Sequence, residues 1–230
     1  MRNAKLMGAV LLAGAAAPAM AGVIVQTKTA TFQSDLNNDV ILTFDSFDTQ
    51  GGTLILQSVR VDVRHAGGAI LRADNDDTFQ GATVNGRIIR AWTLTGPDAF
   101  AADNETVTTP TVDLGPDDGD GAAFDATGPD GTDFGSVSYG PDFSVTLNPN
   151  SALYATNGAG TVDFTTDVLL MVNDLQFVVE PDVWQLEVQA PYLDVEVKLT
   201  YEFTVVPVPA GVWLAAFGLG VAGWIRKRIA

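Results

Sequence analysis

Val59-Arg60-Val61-Asp62-Val63-Arg64 alternates valine with a charged residue. Successive side chains of an extended chain point to opposite faces, so this run places its valines on one face and its charges on the other. A helix would scatter the same valines around its axis, so the period of two reads as a half-buried strand. Val195, Val197, Leu199, Tyr201 and Phe203 repeat the pattern against Glu196, Lys198, Thr200, Glu202 and Thr204.

Working outward, residues 23–32, 40–47, 53–56, 82–94, 136–147, 161–170 and 176–179 read as further strands, separated by clusters of Gly, Asn, Asp and Pro. No segment of the body carries a helical stripe, and no solenoid or propeller period recurs. Short strands without βαβ alternation predict an all-β fold, an antiparallel β-sandwich with the jelly roll as its candidate form. Residues 97–133 are dense in Asp, Gly, Thr and Pro with few large apolar side chains, which predicts a long loop or a ragged edge.

The 230 residues divide into three parts. Residues 1–21 have a basic start (Arg2, Lys5), an apolar run from Leu6 to Ala17, and a small-residue site at Ala19-Met20-Ala21, the pattern of a signal peptide cut by signal peptidase after Ala21. Residues 22–204 form one acidic sandwich domain. Residues 205–230 hold an uncharged stretch from Val205 to Ile225, then Arg226-Lys227-Arg228, a basic stop that the positive-inside rule keeps in the cytoplasm. Pro207 and Pro209 restrict the start of a helix, so a single transmembrane helix would run from Ala210 to Ile225. At about 1.5 Å per residue it would be roughly 24 Å long, short for a hydrocarbon core of about 30 Å. A plain single-pass anchor of that length would have to thin the bilayer; a transient anchor would not need to last.

All 28 acidic residues lie between Asp35 and Glu202, whereas five of the 12 basic ones sit at the two ends, leaving the body with a net charge of −21. Such a surface repels nucleic acid and anionic headgroups, and suits solubility and divalent cations. With no cysteine there are no disulfides, thiolate metal sites or thiol nucleophiles.

The only histidine, His65, has no nucleophile motif near it and reads as a surface or strand-end residue, so no catalytic residues are assigned and no enzyme is expected. Trp92, in an apolar-alternating run, reads as core, with sugar stacking as the alternative for it and for Trp184. Calcium is the one cofactor with any support. Asp117, Asp118 and Asp120 before Gly121, and Asp74, Asn75, Asp76 and Asp77, offer clustered hard oxygens, although their spacing is not that of an EF-hand. Solvated acidic turns account for the same residues.

Val206-Pro207-Val208-Pro209-Ala210, followed by the Gly-containing apolar stretch and Arg226-Lys227-Arg228, resembles the PEP-CTERM class of sorting signals in its VPxPA form. That resemblance implies export through the secretion machinery, transient anchoring in the inner membrane, and recognition by an exosortase, a membrane-embedded transpeptidase-like enzyme of bacteria that make exopolysaccharide or biofilm matrix. Val208 stands where the commonest form has Glu, which leaves the exosortase subtype open. The body, through Leu42-Thr43-Phe44-Asp45-Ser46-Phe47-Asp48, Gly52-Thr53-Leu54 and Leu199-Thr200-Tyr201-Glu202-Phe203-Thr204, is similar to the choice-of-anchor E domain, for which no activity is established. The function expected is that of a cell-surface or matrix protein of structural or interaction type. A polysaccharide-binding surface module, with calcium ordering its loops, is the alternative, and an exported hydrolase comes third.

Overall fold

A computed structural model describes residues 20–33, 39–121 and 123–206. The chain is all-β. Its strands are β1 (Ala21–Phe32), β2 (Val40–Asp45), β3 (Phe47–Asp48), β4 (Leu54–Asp74), β5 (Ala82–Gly96), β6 (Ala99–Thr108), β7 (Val112–Leu114), β8 (Gly131–Leu147), β9 (Ala155–Thr156), β10 (Thr161–Val179) and β11 (Gln185–Val205). They form two antiparallel sheets, β1-β11-β4-β8 and β2-β10-β5-β6 with β7 also on β5, while β3 and β9 make a short parallel bridge.

The pairs β1·β11, β2·β10, β4·β8 and β5·β6 are nested in sequence, as in one long hairpin whose tip is the tight turn between Gly96 and Ala99. Two further pairings, β11·β4 and β10·β5, roll that hairpin into a sandwich.

The opening motif lies where its period places it. Val59, Val61 and Val63 are buried, as are Val195, Val197, Leu199 and Tyr201 on the neighbouring strand. They pack across the interior on Phe44, Trp92, Leu94 and Phe164 of the other sheet, with Phe44 and Phe164 edge to face at 5.6 Å. Each buried aliphatic side chain contributes roughly 1.5–3 kcal/mol, and these faces are contiguous, so the core needs no disulfide to hold it.

Several sequence-based boundaries give way to longer elements. Residues 161–170 and 176–179 belong to one strand, β10, and residues 53–56 merge with the valine run into β4. Bulges shift the register between Val168 and Leu170, and between Glu202 and Phe203 opposite β4, so the alternation breaks while the strand continues. Residues 40–47 do the reverse and split at Ser46 into β2 and β3.

Of the two expectations for 97–133, a long loop or a ragged edge, the first half follows the second, forming β6 on the edge of its sheet and the short β7. Ala99 and Ala101 are small enough to face the core without bulk, and Asp103 on the same face finds a polar partner in His65, so an edge strand forms from a composition that looked too poor in apolar residues.

The open corner between the sheets is clasped by one side chain. Gln26 of β1 donates to the Asp45 carbonyl at 2.8 Å and accepts from the Asp45 amide at 2.9 Å, so an amide group imitates a backbone partner for β2. Tyr201 donates its hydroxyl to the same carbonyl at 2.9 Å; burial pushes that phenol up to about 12.

Among the described residues no helix is long and apolar enough to cross a membrane. The expected signal helix and transmembrane helix, with Ala19, Pro207 to Ala210, and Arg226 to Arg228, lie outside the described residues; Ala21 opens β1, and Val206 directly follows β11.

Candidate functional site

The loops joining β4 to β5, β7 to β8 and β10 to β11 meet at one end of the sandwich, because β4 ends and β11 begins side by side at Asp74 and Gln185. They are acidic, and their buried polar residues hold them in place. Asn75 donates to the carbonyls of Gln80 (2.8 Å) and Gly115 (2.6 Å). The Asp77 carboxylate accepts amides from Phe79, Gln80 and Asp182, which keeps it below the usual carboxylate range. Asp74 accepts the Asp125 amide at 2.7 Å. The Asp74-Asn75-Asp76-Asp77 run therefore serves mainly to tie loops together, and Asp76 is bonded to Gln185 at 2.8 Å. Among the described residues it does not gather three carboxylates within 4.8 Å of one another, as the 117–130 region does.

Asp117, Asp118 and Asp120 do come together, and the fold adds a fourth carboxylate. Buried Asp130, from just before β8, accepts the Asp118 amide at 2.7 Å, and one oxygen from each of the four lies within 4.8 Å of the others. Oxygens bound to one calcium at about 2.3–2.6 Å each lie no more than about 5 Å apart, so the four carboxylates are close enough to share one cation. Burial, then repulsion from Asp76, Asp130 and Asp125, raises the Asp74 carboxyl despite its hydrogen bond. Asp120 is raised by desolvation and by the charges of Asp74, Asp118, Asp130 and Asp117. Asp130 was invisible as a ligand in sequence because ten residues separate it from Asp120.

Aromatic groups border the same loops. Phe79 is 94% exposed on the turn capped by Asp77, and Trp184, 38% exposed, lies against Phe177 with ring centres 5.1 Å apart. Gln80 donates to the Glu180 carbonyl at 2.8 Å, joining the loop of Phe79 to the loop of Trp184. Trp92 is fully buried, as its alternating run predicted.

His65 is a correction. It is buried within β4 rather than exposed at a strand end, because Gly67 and Gly68 carry the strand onward. A Cβ at Gly67 would meet the Tyr139 ring at 2.8 Å, and one at Gly68 the Tyr192 ring at 2.8 Å, so these glycines admit aromatics over the strand and do not end it. The His65 ring nitrogens reach the Tyr139 hydroxyl and the Asp103 carboxylate, both at 3.2 Å. Ser144 donates to the same Asp103 oxygen at 2.7 Å. Burial pushes the Asp103 carboxyl up, but Ser144, the Asn104 amide and His65 together hold it below its ordinary value. Histidine and serine both converge on the aspartate, not on each other, so the set is an interior polar tie without an activated hydroxyl.

No protein-family model and no curated protein matches the chain. Among solved structures it is similar to that titled Desmodium yellow mottle tymovirus, at 8% identity over 88% of this chain and 98% of that one, with a TM-score of 0.16. It is also similar to an infectious bursal disease virus structure, Gx strain, at 14% identity over 86% of this chain, with a TM-score of 0.16, and spans 44% of that longer chain. Likenesses this low carry no argument about fold or function.

Proposed function

We propose that this is an exported cell-surface or extracellular-matrix protein of structural or interaction type, not an enzyme, sorted through its C-terminal tail by an exosortase-like transpeptidase. Residues 1–21 are its signal peptide, 22–204 its body and 205–230 its sorting signal. The observation that carries this reading is where the body stops: β11 closes the sheet at Val205, and Val206-Pro207-Val208-Pro209-Ala210 starts at the next residue. The nested strand pairs support a jelly roll, a fold used widely for binding and assembly.

The test is the intact mass of the protein recovered from the native cell surface and medium. Loss of both ends is expected; a mass that still includes Ala230 would sink the sorting route and leave a plain anchored protein.

A second reading, a polysaccharide-binding module ordered by calcium, is favoured by the carboxylate cage and by Phe79 and Trp184 at one end of the sandwich. Exposed aromatic faces stack on sugar rings, and pinned loops lose little entropy on binding. Glycan binding to the producer's own polysaccharide should weaken about tenfold or more in Trp184→Ala, consistent with loss of about 1.4 kcal/mol or more. No measurable binding with or without calcium would remove this reading.

A further inference from the structure

The end of the sandwich opposite the acidic loops has the reverse chemistry. The segments 20–27, 49–59, 143–162 and 203–206 converge there and contain no charged residue, in a chain with 12 basic and 28 acidic ones. Register fixes their meeting: Ala21 lies opposite Thr204, and Val205 opposite Leu54. Val205 donates its amide to the Met20 carbonyl at 2.9 Å, and Val206 donates to the Thr53 carbonyl at 2.8 Å. A groove lined by Leu54, Ile55, Leu56, Ala152 and Ala155 opens beside them.

Large apolar side chains stand bare around these bonds, Met20 at 72%, Leu153 at 53% and Ile55 at 49% exposure. The acids nearest to them, among them exposed Glu202 opposite Val23 and exposed Asp98, each accept a hydrogen bond from a neighbour. Asp48 accepts the amides of Gln50 and Gly158, Asp98 accepts the Asn150 amide, and Glu202 accepts the Ser58 hydroxyl.

We infer that this end of the sandwich is a lipid-contacting surface that rests on a bilayer of uncharged headgroups while the tail is in place. The inference rests on the membrane-tail reading above and adds an orientation to it. Only residues 206–209 separate β11 from Ala210, where the expected membrane helix begins, and they reach at most about 14 Å when fully extended. No spacer lifts the domain away, so whatever chemistry this end carries meets the interface directly. An acidic end would be repelled by anionic lipid and costly to desolvate; an end poor in charge, with exposed Met, Ile, Leu and Val, gains by partial burial. β4 runs from this end to the acidic loops, and its 21 residues span about 60–70 Å at the usual strand rise. The carboxylate cage and Trp184 are then held far out from the membrane, where a soluble ligand can reach them.

The absence of cysteine makes the test direct. Ile55→Cys, Leu153→Cys and, at the far end, Phe79→Cys are each labelled with an environment-sensitive fluorophore in the tail-bearing chain. Each is reconstituted in phosphatidylcholine vesicles with or without doxyl-lipid quencher. Emission at positions 55 and 153 should fall about twofold or more with doxyl lipid, and emission at 79 should not. The same pattern should persist when a ten-residue Gly/Ser spacer separates Val206 from Pro207, because the surface itself, not a short leash, makes the contact. A chain that floats with the vesicles but shows no quenching at 55 and 153, or loses it with the spacer, overturns this inference and leaves the tail reading intact. A chain that does not float overturns both.

Discussion

Arg90 shows how a single residue can decide more than its position in a pattern suggests. It sits fully buried on β5, and its guanidinium donates to the carbonyls of Tyr192, Ile89, Val172 and Gly68 and to the Asn173 side chain, at 2.8–3.0 Å. All five donors are used, although burial pulls its pKa down from the ordinary value. Arg90→Lys keeps the charge but offers three donors in a different geometry, so it should lower stability by about 2–4 kcal/mol, read as a lower urea midpoint. Asp74 gives a pH prediction with a definite sign. Its folded pKa is raised above 3.8, so its contribution favours the fold below 3.8 and is lost as pH rises through the folded value. Asp74→Asn removes that loss and can still accept the Asp125 amide. It should match the wild type in thermal melts near pH 3.5 and exceed it at pH 7; a variant less stable at pH 7 would refute the assignment. Neither residue was legible as buried in sequence, because an arginine or aspartate in a strand reads as solvent-facing until its neighbours are known.

Elements were more legible than residues, but their ends were not. Val59-Arg60-Val61-Asp62-Val63-Arg64 fixed a strand and its buried face, yet nothing in it said that β4 runs on through Gly67 and Gly68 to Asp74. Glycine pairs usually end strands; here the Tyr139 and Tyr192 rings need the space above them. β6 was missed for the related reason that an edge strand needs one buried face only, which Ala99 and Ala101 supply. Edge control also gives a prediction for β1, a 12-residue edge strand whose sole charge is Lys28. Its Gln26 side chain occupies the outward amide and carbonyl of Asp45 on the neighbouring edge strand β2. Gln26→Ala should cost about 1 kcal/mol in chemical denaturation and, by baring the edge of β2 at Asp45, should promote self-association in sedimentation velocity. A variant that stays monomeric at every concentration would show that the clasp does not guard this edge.

At the scale of the whole molecule, charge sets the terms. The full chain carries −16, and the loops at one end of the described body form its densest cluster of acids, the others being spread along the strands. Added NaCl should raise the melting temperature by screening repulsion, as it would for any such surface. Calcium at matched ionic strength should raise it by several degrees more, and the excess should vanish in Asp118→Asn/Asp120→Asn, since binding to the folded state alone adds stability. Equal effects of calcium and NaCl would mean that the four carboxylates are a solvated face. The sequence by itself determined the period-two strands, the all-β class, the absence of disulfides, and the uneven distribution of charge along the chain. These are local properties, set by side-chain alternation and composition. Only the tertiary structure decided that Asp130 joins Asp117, Asp118 and Asp120, that His65 is interior, and that the uncharged segments collect at one end with Val206 while the acidic loops collect at the other. Those outcomes depend on strand pairing over separations of up to about 180 residues, as between Ala21 and Thr204, and no local pattern encodes which distant strand supplies the partner.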